Sequence, residues 1–169
     1  IPSAGFFLTC KPTLGLACFF YRPTWRSAAT CFAIGLLSLA LMPTWPGEWL
    51  DNLSWVQRHP PAILTPGGWL LVLAAVRWRQ REARLLLAMA CVPQLLFFAD
   101  QLPLFLVART RREAVLFVAA GVVVGSIWVS RHFMRYAAVQ LTGPYVMLGC
   151  YLPALWIVLR RPNLAAEPI

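Results

Sequence analysis

The chain has 169 residues, 60% of them hydrophobic and 12% charged, with a formal charge of +9. Soluble domains carry about 25% charged residues, so the composition excludes an ordinary soluble domain and points to an integral membrane protein. In a soluble domain this basic balance would suggest nucleic acid. Here the arginines fall between apolar runs, as in cytoplasmic loops, and no nucleic-acid partner is expected.

The first apolar run covers residues 3–21 and is interrupted by Lys11 and Pro12. Lys11 is the only lysine in the chain. A charge at membrane depth is costly and usually faces a cavity, a partner or a substrate. Pro12 lacks an amide N–H and breaks or starts a helix. Lys11 is therefore a candidate site residue; the alternative is a side chain that snorkels to the interface. The chain opens at Ile1 without a methionine, and the expectation is a C-terminal fragment of a longer membrane protein.

Further apolar runs cover 27–42, 62–76, 85–99, 101–108, 114–130 and 143–159, with a Trp- and Pro-rich polar stretch at 43–61. None alternates like a strand. Backbone groups in lipid must be satisfied internally, so helices are the expected structure. Most runs fall short of the roughly 20 residues that cross a bilayer. Short helices fit if their ends line a polar cavity. The expected fold is all-α: a polytopic transmembrane bundle of about six to seven short helices with an outer-face loop helix. Residues 1–160 form a single transmembrane domain, and 161–169 a polar tail. The five cysteines lie in apolar runs without C-x-x-C spacing. They read as packing residues, and neither a metal nor a cofactor is expected.

Arginine placement orders the passes. Arg22 and Arg26 follow the first run, and Arg77, Arg79, Arg81 and Arg84 follow the third. Arg109, Arg111 and Arg112 follow the fifth, and Arg160 and Arg161 the last. If 85–99 and 101–108 are two passes with a turn at Asp100, all of these share one side. Arg58, Arg131 and Arg135 then take the other. The positive-inside rule prefers this arrangement over one long helix across 85–108. The run 101–108 is too short to cross alone, so a re-entrant element, or a helix continuing into the arginines after it, is expected there.

Three polar clusters fall on the arginine-poor face. In 43–55, Trp45, Trp49 and Leu53 recur every four residues, as do Glu48 and Asn52. This predicts a short interfacial helix, either an aromatic belt alone or one whose Glu48 or Asp51 meets a polar acceptor. Asp100 is the only acid between Glu82 and Glu113. It reads as a helix N-cap, as a carboxylate facing a cavity, or as both. Arg131 and Arg135 share a helical face with His132 beside them. Guanidinium forks match phosphate oxygens, and histidine suits proton transfer; a basic patch on lipid phosphates is the alternative.

The segment Leu8-Thr9-Cys10-Lys11-Pro12-Thr13-Leu14-Gly15-Leu16 resembles the Lys-Pro motif of bacterial GT-C type polyprenol-phosphate-mannose-dependent mannosyltransferases. Arg22-Pro23-Thr24-Trp25-Arg26, Pro43-Thr44-Trp45-Pro46-Gly47-Glu48-Trp49 and Asp100-Gln101-Leu102-Pro103-Leu104 are similar to further features of that family. The resemblance spans about residues 5–160 and departs at Thr13, where glutamine is common. It implies a multi-pass enzyme of a cell inner membrane, transferring a hexose such as mannose from a polyprenyl-phosphate donor to a glycan or glycolipid acceptor on the outer face. It gives Lys11 the donor phosphate and Asp100 the sugar or acceptor, with the catalytic aspartate expected upstream of Ile1. The rival readings are a transporter or flippase for a lipid-linked or anionic solute, using Lys11 at a broken helix, and a membrane scaffold without a site.

Overall fold

The structure is a computed structural model that describes residues 12–52, 60–92, 96–132 and 142–162. Lys11 and Arg135 lie outside these residues, as does most of the polar tail. The described elements are helical, with no strand among them.

Helix α1 covers Pro12–Tyr21. Proline suits this opening position, where its missing N–H has no helical partner to lose. Helix α2, Trp25–Leu41, starts at Thr24, whose side chain accepts from the Ser27 amide at 3.2 Å. Helix α3, Trp45–Asn52, lies where the four-residue spacing predicts a loop helix. Ser27 is the one buried residue of α2, and neither α2 nor α3 packs closely on the other described elements.

A 3₁₀ helix then covers Gly68–Arg77. The chain enters it through Gly67 at φ 81°, a left-handed conformation that glycine adopts without strain. Gly68 has no room for a side chain: a Cβ there would collide with the Ala62 carbonyl oxygen and lie 2.9 Å from the Ile63 carbonyl carbon. Gly68, Leu71 and Ala74 are buried. A spacing of three is what a 3₁₀ helix requires, because its side chains eclipse every third residue.

Helix α4, Arg81–Cys91, leads away from the arginine-rich end. Another ten-residue 3₁₀ helix, Phe98–Val107, returns, again with a buried column of three: Gln101, Leu104 and Val107. Pro103 lies inside it. The two segments form a hairpin whose open end is closed by Arg109 against Glu82. Asp100 lies inside the returning helix, so the chain has turned back before it rather than at it. Phe97 holds the capping position and Asp100 the first turn, so the expected N-cap role of Asp100 is not what the fold uses. In the first turn a carboxylate instead complements the helix dipole.

Helix α5 covers Arg111–His132 and α6 covers Gly143–Arg160, with a π turn at Met147–Tyr151. The π turn comes just before Pro153, whose missing N–H interrupts the α-helical ladder. Among the described residues these two helices are long and apolar enough to cross a membrane. They meet at glycines: Gly149 of α6 lies against the Ala120 carbonyl and Val124 of α5, and Gly121 of α5 faces the Gly149 carbonyl. Small residues at such a crossing let the backbones approach.

The 3₁₀ pitch explains how so short a run reaches so far. Phe105 packs on Phe117, with ring centroids 4.7 Å apart, and Phe97 on Trp128 at 6.0 Å. Between Phe117 and Trp128, α5 rises about 16 Å at about 1.5 Å per residue. Phe97 to Phe105 covers the same distance, about 16 Å, at about 2.0 Å per residue. The return arm therefore lies alongside most of α5. The core where the hairpin meets α6 and the 3₁₀ helix 68–77 includes Leu71, Leu85, Leu86, Met89, Leu104, Tyr151 and Ile157, all buried. Within it the Tyr151 hydroxyl donates to the Met89 carbonyl at 3.2 Å.

Candidate functional site

Two centres lie along α5, one ionic and one apolar. The first is an ionic cluster at the arginine-rich end. Glu82 is fully buried in the first turn of α4, ahead of the apolar run. Arg109 donates to both of its oxygens, Nε at 2.6 Å and Nη2 at 2.7 Å. Arg81 lies 3.4 Å and Arg161 3.9 Å from the same carboxylate. Burial raises the Glu82 pKa, but hydrogen bonding from Arg109 and the charges of Arg109 and Arg81 outweigh it, and hold the carboxyl below the usual range.

Glu113, one turn into α5, accepts from the amides of Arg109 and Thr110 at 2.8 and 3.1 Å, while its own amide donates to Thr110 Oγ1. Thr110 and Glu113 thus form a capping box, to which the Arg109 amide adds a further contact. Arg161 Nη2 reaches Glu113 at 2.5 Å and the Val107 carbonyl at 2.9 Å. Gln80 donates to the carbonyls of Arg161 and Pro162. Arg84 donates to the Phe20 carbonyl, and Arg81 lies over the Tyr21 ring at 5.3 Å. The ends of α1, α4, the return arm, α5 and α6 are thus tied together. The arginines of 77–84, 109–112 and 160–161 share one end, as the charge split requires. The chemistry here is structural: each carboxylate is consumed by a guanidinium.

The second centre is an apolar groove that runs along α5 from Phe117 toward the far end. Its volume is about 700 Å³, and its lining includes Phe97, Phe98, Phe105, Phe117, Gly121, Gly125, Trp128 and Cys150. Gly121 and Gly125 leave α5 without side chains there, and Cys150 reaches the groove from the π turn. Trp128 Nε1–H is buried with no hydrogen-bond partner among the described residues. Beyond Trp128, the last turn of α5 carries Arg131 and His132. The His132 ring stacks on Trp128 and meets Tyr145 edge-on at 5.7 Å. His132 Nδ1 lies 3.1 Å from the Trp128 carbonyl. A carbonyl only accepts, so Nδ1 carries the hydrogen. In the neutral ring, Nε2 is then left as the accepting nitrogen.

The structure therefore brings together some of the expected site residues and separates others. Asp100 is half-buried one turn from Phe97, to whose carbonyl its amide donates at 3.1 Å. It follows Phe97, which packs on Trp128, and so falls toward the end of α5 that carries Arg131 and His132. Glu48 and Asp51 are exposed on α3, which does not pack on that end. The groove itself has a sequence signal in Gly121-x-x-x-Gly125, a spacing that marks close approach in apolar helices. No known protein family, curated protein or solved structure matches this chain.

Proposed function

We propose that this chain binds the lipid donor of a multi-pass membrane glycosyltransferase, using a polyprenyl-phosphate hexose on the outer face of a cell inner membrane. The carrying observation is the apolar groove that ends beside Arg131 and His132. A long hydrocarbon chain fits a groove lined by phenylalanines and bare glycines, and a phosphate fits a guanidinium beyond its end. Transfer forms a bond from the acceptor oxygen to the sugar anomeric carbon and breaks that carbon's bond to the phosphate oxygen. Arg131 stabilises the charge on the departing lipid phosphate. His132 Nε2 is placed to take up or relay the acceptor proton. Asp100 serves sugar or acceptor hydroxyls at the same end. Lys11 and Arg135 complete the proposed polar surface, whereas Glu48 and Asp51 stay outside it on α3.

The test is photo-crosslinking with a diazirine-bearing polyprenyl phosphate in membranes. Wild type should crosslink to peptides of α5 and of 98–107. Gly125→Leu, which fills the groove, should lose the crosslink while α5 and α6 stay folded by circular dichroism. Undiminished crosslinking in folded Gly125→Leu would remove the groove from the donor site and leave the transport and scaffold readings.

A further inference from the structure

The arginine-rich end holds more positive charge than its own carboxylates can absorb. Among the described residues the two acids there are Glu82 and Glu113, and each is occupied: Glu82 by Arg109 at 2.6 Å and Glu113 by Arg161 at 2.5 Å. Arg79, Arg111, Arg112 and Arg160 remain exposed around this ionic cluster. Among the described residues no ion pair joins any of the four to an acid, whereas Arg81, Arg109 and Arg161 each have one. The surplus lies on the outer surface of that end.

Exposed tryptophans accompany these arginines. Trp78, beside Arg79, is 63% exposed, and Trp156 is 47% exposed with the Arg160 guanidinium 4.4 Å above its ring. Tryptophan favours the headgroup layer, where its ring is part apolar and part wet. A guanidinium held over such a ring stands at the depth of lipid phosphates and keeps its donors free to face them. The arginines and tryptophans therefore occupy one layer, set by the end of the bundle.

We propose that this end is a docking surface for anionic phospholipid headgroups, gripped by Arg79, Arg111, Arg112 and Arg160 with Trp78 and Trp156 fixing the depth. The inference is independent of the glycosyl-transfer reading, since it concerns the opposite end of α5. Phosphate diesters of a bilayer suit it better than a soluble polyanion, because the tryptophans need an apolar layer beneath the charges.

The test uses the full chain in nanodiscs of phosphatidylcholine with a graded fraction of phosphatidylglycerol. Native mass spectrometry reads the phosphatidylglycerol retained on the released protein. Wild type should retain it well above its bulk fraction, and less so at high ionic strength. Arg111→Gln with Arg112→Gln should reduce the preference, by about fivefold for each arginine near the surface. Adding Arg79→Gln and Arg160→Gln should abolish it. Circular dichroism and an intact thermal midpoint confirm that the variants fold. An unchanged preference in the fourfold variant overturns the proposal. So does displacement of the lipid by inorganic phosphate alone, which would assign a free-anion pocket. Equal binding of heparin to discs of phosphatidylcholine alone would assign a soluble acidic partner instead, and also overturns it.

Discussion

Replacing Glu82 by glutamine keeps its shape and removes its charge. In the folded protein the carboxylate is fully buried and receives both donors of the Arg109 fork, at 2.6 and 2.7 Å. Breaking a buried ion pair from one side typically costs about 3–5 kcal/mol, because the partner is left uncompensated. Here the Arg109 side chain is 36% exposed and can rehydrate, and Arg161 keeps Glu113. The expected loss is therefore about 2–3 kcal/mol, below the usual range for a sealed pair. For a chain of this size that lowers the thermal midpoint by roughly 5–10 °C. The assay is thermal unfolding of purified protein in detergent, with Arg109→Gln and the double variant completing the cycle. Coupling of at least about 1 kcal/mol is expected between the two sites. A midpoint within about 1 °C of wild type, or additive single effects, would falsify the claim that this pair closes the open end of the hairpin.

Acid should loosen the same contact. The folded-state pKa of Glu82 lies below its unfolded value, so its stabilisation is complete above about pH 4.3 and is lost as pH falls through the lowered value. The thermal midpoint should fall with acid there, and Glu82→Gln should flatten that part of the slope. Gly68→Ala should cost about 3 kcal/mol, at the upper end for overpacking, because its Cβ meets backbone of Ala62 and Ile63 rather than a movable side chain; membrane yield and unfolding measure it. Gly149→Leu should part α5 from α6, since even a Cβ there lies 3.2 Å from Val124 and 3.4 Å from Phe98. A loss of only a few tenths of a kcal/mol would contradict the close crossing. In a background with its cysteines replaced, Arg79→Cys and Thr110→Cys should label from one membrane face and Arg131→Cys from the other. Labelling of residues 79 and 110 from opposite faces would break the hairpin arrangement.

The helical runs were legible from apolar segments bounded by arginine and proline, and α3 from the four-residue spacing around Glu48. The shared arginine end was legible too, because the charge split is lopsided only if 85–108 folds back. The turn was misplaced onto Asp100: an acid between two apolar runs looks like a turn, but a carboxylate also suits the first turn of a helix. The Glu82–Arg109 pair was hidden because both residues sit among other arginines, and only folding selects which guanidinium meets the buried carboxylate. The groove was hidden because its glycines matter through what lies opposite them. Lys11, the residue the sequence marks most strongly, lies outside the described residues.

The buried columns Gly68–Leu71–Ala74 and Gln101–Leu104–Val107 recur with a period of three. A triangular rod of this kind tolerates changes of length unlike those an α-helix tolerates. Removing three residues from an α-helix turns everything beyond the cut by about 60°. The same removal from a 3₁₀ segment restores the original facing and shifts the chain about 6 Å along its axis. Losses or gains of whole triplets in 68–77 or 98–107 would therefore slide each segment against its neighbours without rotating it, and single-residue changes would expose the entire column.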